Sequence, residues 1–269
     1  MANLFGTLNI SKKGMMAQSF AINTTSHNIS NADTPGFSRQ RVHMQASSPY
    51  TYSGIGHLGT GVDVVGIERI RDEFLDAQIC YEVSINGRYE ASQTVLEQVE
   101  MIFLEPSDTG LNEYMTAMWD SWEELGNYPE KSNGSTFVAG TSKTFADELN
   151  RMSLQLDTLK LDTISTIEGK TYDANQLIHE IQDLSDQIYK LSTKDLSAND
   201  LMDRRDLMIE KLSAIVNVNV DYDEFSRVKI TEADSGSNIV LLGFNTQEPV
   251  TNEMSTIRSV TDLGVNVQE

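Results

Sequence analysis

FADELNRMSLQLDTLKLDTISTIEGKTYDANQLIHEIQDLSDQIYKL, residues 145–191, is the longest periodic run in this chain of 269 residues. Phe145, Leu149, Met152, Leu156 and Leu159 return every three or four positions, and after a weaker middle at Gly169 so do Ala174, Leu177, Ile181, Leu184, Ile188 and Leu191. The spacing predicts an amphipathic helix, heptad-like in both halves. A helix this long buries its apolar stripe only by lying lengthwise against other helices.

The flanking sequence supplies them. Leu111, Met115, Met118, Trp119 and Trp122 predict a helix over 111–125, closed by Gly126 and Pro129. Upstream, Ile67, Ile70, Phe74, Ala77 and Tyr81 share one face, and Ile85, Tyr89, Leu96, Val99 and Phe103 continue it after a phase slip, up to Pro106. At the amino end, Leu8, Met15, Ala21 or Ile22, and Ile29 recur near a seven-residue interval beside Phe5 and Phe20. That predicts a helix from Leu4 to about Ile29, with a thin apolar stripe. A last helix runs from Asn199 or Asp200 to about Ala214.

Alternation marks the extended parts. FSRQRVHMQ (37–45) and GTGVDVVGI (59–67) read as extended segments around the Gly/Ser/Tyr-rich loop SSPYTYSGIGHLGTG (47–61). IVNVNVDYDEFSRVKITEADSGSNIVLLGF (215–244) reads as three short strands, followed by a polar tail after Asn245. The expected fold is mainly α: an elongated bundle of long antiparallel helices, with small β elements after the first helix and near the carboxy terminus. The chain divides into a helix and turn (1–36), an extended connector (37–66), a helix bundle (67–215) and a β segment with its tail (216–269).

Charge excludes some partners. Against 20 Lys and Arg stand 40 Asp and Glu, a formal charge of −20. Such a surface repels nucleic-acid phosphates and anionic membranes, so neither is expected as a partner. A single cysteine, Cys80, rules out an intramolecular disulfide and fits a reducing compartment or a secreted protein that manages without one. MANLFGTLNISKKGMMAQ lacks the basic and apolar regions of a Sec-type signal peptide. Nothing later approaches the roughly 18 apolar residues of a membrane span.

No catalytic or metal-binding constellation emerges, and neither cofactor nor metal is expected. His27, His43, His57 and His179 have no partner at i+3 or i+4, as a zinc site on a helix face requires. Gly54-x-Gly56 and Gly59-x-Gly61 lack the strand before and the helix after that a dinucleotide fingerprint needs, so turn glycines are the better account. Asp221, Asp223 and Glu232 occupy calcium-loop positions, but Phe225 and Ser226 stand where a ligand and the sharp-turn glycine belong; a solvated hairpin fits better. Asp200, Asp203, Arg204, Arg205 and Asp206 crowd one helix start, where acids suit the helix dipole and the arginines are expected to pair with carboxylates along the bundle surface. Cys80 reads as a structural thiol within a helix, and the methionines as core gap-fillers, with an adaptable interface the lesser alternative for Met15 and Met16 on the thin-striped helix.

One stretch asks for a partner. NTTSHNISNADTPGFSRQRV (23–42) ends the first helix with small polar side chains, which let another backbone approach closely, and then turns at Thr34-Pro35-Gly36. A frayed, capped terminus explains the polarity but not so specific a turn. NTTSHNISNADTPGFSRQ closely resembles the amino-terminal signature of the bacterial flagellar rod, hook and hook-associated proteins, Asn-Ile-Ala-Asn, two variable residues, then Thr-Pro-Gly-Tyr. Asn28, Ile29, Asn31, Thr34, Pro35 and Gly36 match, while Ser30 replaces Ala and Phe37 replaces Tyr. SRQRV, GTGVDVVGIERIRDEFLDAQ and ANDLMDRRDLMIEKLSAIVNV extend the resemblance, over about residues 3–245, to the hook-associated protein 1 family. Family members are longer and end in a second terminal helix that pairs with the first; no heptad pattern follows Asn245 here.

The resemblance implies a structural, non-enzymatic protein of the hook-filament junction, exported unfolded by the flagellar type III apparatus without a cleavable signal and located outside the cell. Its implied partners are further copies in a ring, the hook protein, hook-associated protein 3 and the export apparatus. The implied assembly residues are Asn23, Asn28, Ile29, Asn31, Thr34, Pro35, Gly36, Phe37, Arg39 and Gln40. A cytoplasmic coiled-coil adaptor, or a short paralogue regulating flagellar assembly, remains the alternative.

Overall fold

The computed structural model describes residues 2–52, 54, 56–103, 110–194, 196–233 and 240–243. The helix stop expected at Pro106 and the polar tail after Asn245 lie outside them. The chain is mainly α, as its periodicity predicts, and divides into two compact units. One takes the chain through Ser84 and resumes at Ala174; the other is Ile85–Asp173.

The first unit opens with α1 (Ala2–Ser30), which packs against an antiparallel ribbon of β1 (Gln40–Ala46) and β4 (Val62–Arg69). The register runs from Gln40 opposite Arg69 to Ala46 opposite Val62, with an irregularity between His43 and Met44. The stretch expected as a loop carries a small hairpin of its own, β2 (Tyr50–Tyr52) against β3 (Gly56–Leu58). The helix expected from Ile67 begins instead at Glu73, as α2 (Glu73–Phe103). Ile67 pairs with Val42 in the ribbon, and the Asp72 carboxylate accepts the Phe74 amide at 3.0 Å, fixing the later start.

After α4 (Gly134–Ser192) come α5 (Asn199–Ser213) and a sheet of order β5 (Val218–Tyr222), β6 (Val228–Glu232), β7 (Val240–Leu242), the three strands that alternation predicts. This unit's core joins Ile178, Ile181 and Ile188 of α4, Leu212 of α5, and Val228 and Ile230 of β6, all almost fully buried.

The second unit holds the rest of α2, α3 (Leu111–Asn127) and the first part of α4 (Gly134–Ser192). The Ser121 and Thr141 hydroxyls bond at 2.7 Å, and Leu125 closes on Gly134, so α3 and α4 form an antiparallel hairpin. α4 begins eleven residues before Phe145. Its Ser/Thr/Gly-rich start hides the period, yet Val138 there is buried and Thr141 and Thr144 turn their hydroxyls back onto the helix backbone. Its sheltered positions Val138, Phe145, Met152 and Leu159, and then Ile167, Ala174, Ile181 and Ile188, advance by seven residues, so both halves are heptad-like as expected, with one step of eight between Leu159 and Ile167 in the weaker middle.

The expected apolar stripes of α2 and α3 are covered only in part. Ile85, Val99 and Phe103 of the expected α2 stripe are sheltered, with Asp76, Cys80, Val83, Ser84, Gly87, Val95 and Ile102, but Phe74, Tyr81, Tyr89 and Leu96 are exposed. On α3, Leu111, Tyr114, Met118, Ser121 and Leu125 are sheltered, while Met115, Trp119 and Trp122 face solvent.

Candidate functional site

The motif region is built from the end of α1. Asn31 returns its side-chain amide to the His27 carbonyl at 3.0 Å, and its side-chain oxygen accepts the Thr34 hydroxyl at 3.2 Å. Pro35 and Gly36 then occupy the centre of a turn closed by the Phe37 amide on the Thr34 carbonyl, at 3.2 Å. Gly36 has φ +77°, as the third residue of a type II turn requires. It is constrained twice, because a Cβ there would also lie 2.9 Å from Cβ of Leu207 in α5.

Beyond the turn, Asn28 reaches across to Gln40, the first residue of β1. Its amide donates to the Gln40 carbonyl at 2.8 Å and its oxygen accepts the Gln40 amide at 2.9 Å. The side chain thus takes the place of a neighbouring strand. The Gln40 side chain donates to Asp200 at 2.7 Å, and Asn199 donates to the Ile67 carbonyl at 2.8 Å, fastening both ribbon strands to the start of α5. His27 approaches the same Asp200 at 3.3 Å and meets the Phe37 ring edge to face, with centroids 5.3 Å apart.

A buried ionic cluster lies alongside. Arg69 donates to Asp203 at 2.9 Å and to Asp206 at 2.8 Å; Arg71 donates to Asp76 at 2.6 Å and to the Ser38 hydroxyl at 3.2 Å. The Ser38 amide closes the set on Asp203 at 2.9 Å. Burial works against the Arg69 cation, but Asp206 and Asp203 outweigh it and hold its pKa above the ordinary value. The same balance holds for Arg71, through Asp76 and Asp206.

This corrects the expectation that the arginines of 200–206 pair along the surface. Arg204 is exposed, but Arg205 is only 1% exposed, bonds Asp206 and the Ser226 carbonyl, and lies 4.9 Å from the centre of the Tyr222 ring. Two carboxylates on successive turns of α5 receive Arg69 and Arg71, which strand alternation places on one side of the chain. That i, i+2 pairing was the signal available in the sequence for Arg69, Arg71, Asp203 and Asp206.

The motif residues therefore divide. Asn28, Asn31, Gly36, Phe37 and Gln40 are wholly or partly sheltered, whereas Asn23, Ile29, Thr34, Pro35 and Arg39 are exposed. The small-residue side of α1, Gly14, Ala17, Ala21 and Thr24, turns toward its own chain. Lys13 ties the helix to the ribbon through Asp63 at 2.8 Å and Ser47 at 3.1 Å. The stripe expected as its apolar face points outward: Leu8, Met15, Ile22 and Ile29 are 63%, 70%, 66% and 72% exposed.

The other motifs resolve locally. Asp223 accepts the Phe225 and Arg227 amides and the Arg227 guanidinium within the β5–β6 hairpin, so its carboxylate is spent on the turn. Burial, with Glu210 and Asp76 nearby, pushes the Cys80 thiol up despite a hydrogen bond with Ser213, the opposite of what an activated nucleophile needs. Among the described residues no group of His, Cys, Asp and Glu forms a metal cluster, and no helix is long and apolar enough to cross a membrane.

Known proteins share this architecture's sequence. Residues 96–267 match the family described as the flagellar hook-associated protein FlgK helical domain, and residues 8–37 match the flagella basal body rod protein family. Flagellar hook-associated protein 1 of Bacillus subtilis is 31% identical over 92% of this chain and 50% of its own length; that of Escherichia coli is 27% identical over 86% and 42%. The corresponding protein of Salmonella typhimurium is 25% identical over 84% and 41%. The chain spans about half the length, or somewhat less, of the curated relatives it matches. A turn motif anchored on α5, a matched helical domain and this relationship along most of the chain have one reading: the chain belongs to the flagellar hook-associated protein 1 family.

Proposed function

We propose that this chain is a structural component of the hook-filament junction. It self-associates in a ring, contacts the hook protein on one side and hook-associated protein 3 on the other, and is exported by the flagellar type III apparatus. Its working place is extracellular and its role is mechanical rather than catalytic. The exposed members of the motif, Asn23, Ile29, Thr34, Pro35 and Arg39, contact neighbouring subunits, while Asn28, Asn31, Gly36, Phe37 and Gln40 hold the turn in the shape that presents them.

The divided surface of α1 carries this reading. One side, of small residues, is closed by the chain's own ribbon; the other leaves Leu8, Met15, Ile22 and Ile29 in water. Burying each such side chain is worth about 1.5–3 kcal/mol, so the helix gains most by meeting a second apolar helix. Relatives that carry the name flagellar hook-associated protein 1 support the assembly chosen.

The test is hydrogen exchange over residues 1–45, in the isolated chain and in assembled junction material. Protection of the outward side of α1 that appears only on assembly supports the reading. Protection unchanged by assembly, or absence of the protein from sheared flagella, overturns it in favour of a cytoplasmic adaptor. Clearing of peptidoglycan by the purified chain would count against a purely structural role.

A further inference from the structure

The second unit has an apolar face unlike that of α1. The chain holds two tryptophans, and both stand on the outward side of α3 with Met115: Trp119 is 62% exposed and Trp122 52%. Positions 115, 119 and 122 share one helix face. Glu123 lies beside Trp119 on this face and Asp120 follows at its rim, about 100° round the helix from Trp119; both are exposed carboxylates with no ion pair among the described residues. α3 carries no lysine or arginine at all.

An indole face and a carboxylate attract the same thing, a cation on an apolar stem. The end of α3 already shows the combination filled. Lys131 lies 4.6 Å from the centre of the Tyr128 ring and bonds Glu124 at 2.7 Å, so one aromatic and one carboxylate four residues apart hold the chain's own lysine. Trp119 and Glu123 are also four residues apart, in the reverse order and both within the helix, with no lysine supplied. A second copy of this face would bring acid against acid, and an anionic membrane is repelled for the same reason.

We infer that the Met115–Trp119–Trp122 face of α3 is a docking surface for a basic amphipathic helix of another protein, whose apolar residues cover the indoles and whose Lys or Arg side chains pair with Asp120 and Glu123. Tryptophan and a charged rim are the composition of an interface centre rather than of an ordinary solvated helix.

The tryptophans make the test direct, because intrinsic fluorescence reports from this face alone. The probe is a helical Leu/Lys peptide, with the matching Leu/Glu peptide as its opposite, titrated into the whole chain. Expected is a saturable blue shift with the Leu/Lys peptide and none with Leu/Glu. The pair Asp120→Lys and Glu123→Lys is expected to weaken binding about tenfold or more, while Asp157→Lys and Asp162→Lys, equal in charge but on α4, are not. Equal loss in both double variants would mean attraction to net charge only and would overturn the inference. So would a shift with the Leu/Glu peptide, or a blue shift that grows with protein concentration alone, which would assign the face to a second copy.

Discussion

Asn28 pairs with both the amide and the carbonyl of Gln40, a side chain on a helix standing in for a strand. Replacing it by Ala strands two partly sheltered backbone groups. At about 1–3 kcal/mol for a group left unmet, Asn28→Ala is expected to destabilise the first unit by roughly 2 kcal/mol, and Asn28→Asp by a similar amount through the lost donor. Exchange of the Gln40 amide, compared with that of Val228 in β6, reads the effect.

Gly36 answers two constraints, φ +77° and the 2.9 Å approach of Leu207. A side chain in the left-handed region costs about 1–2 kcal/mol before any clash, so Gly36→Ala should lose more than that. Gly36→Ala combined with Leu207→Ala should recover only the steric part. Chemical denaturation of the three proteins separates the two contributions; full recovery would mean the backbone conformation matters little.

Asp203 joins Arg69 to the Ser38 amide at 6% side-chain exposure. Removing one member of such a cluster leaves a buried charge, so Asp203→Ala is expected to cost about 3–5 kcal/mol. Arg69→Met should cost a comparable amount, and the double variant less than the sum, as coupled neighbours do. Additive losses in denaturant unfolding would show that the two do not act together.

Lys13, with Ser47, holds the Asp63 carboxyl below its ordinary value of 3.8. A depressed folded-state pKa stabilises the native contact above the unfolded value, and this contribution fades as the pH falls through the lower folded value. The amides of residues 10–17 should therefore lose protection in acid, below about pH 4. Lys13→Met should remove that part of the pH dependence. An unchanged profile in the variant would assign the acid effect to other carboxylates.

Cys80 is half-sheltered, and its thiol is pushed up chiefly by burial. Alkylation at neutral pH is expected to be slower than for a free cysteine peptide, because little thiolate is present. Unfolding the chain in urea should restore the ordinary rate.

Element types were largely legible in the sequence, whereas the covered faces were not. Apolar periodicity located α1, α3 and most of α4, because side-chain spacing is a local property. It could not tell which side of α1 the chain covers: the side with large residues looks like a core stripe, yet Ala17 and Thr24 are the buried ones. The start of α2 was misplaced because Ile67, Ile70 and Phe74 fit helical spacing as well as a strand edge, and only the pairing of Ile67 with Val42 decides. The Thr-Pro-Gly turn was readable to the residue. Its anchorage on Asp200, Asp203 and Leu207 was not, since those partners lie more than 150 positions away and no local pattern links them.

That separation sets an order of events. The Ser38 amide meets its acceptor across 165 residues, and Arg69 meets the same aspartate across 134. During synthesis α1 and its ribbon are present long before the aspartates that fasten them arrive. Closing so large a loop is slow and entropically opposed, so the opening third of the chain should be the last part of the first unit to settle. Until then the ribbon alone covers the small-residue side of α1, its apolar stripe stays open, and a segment so loosely fastened can still be threaded, handed on or captured.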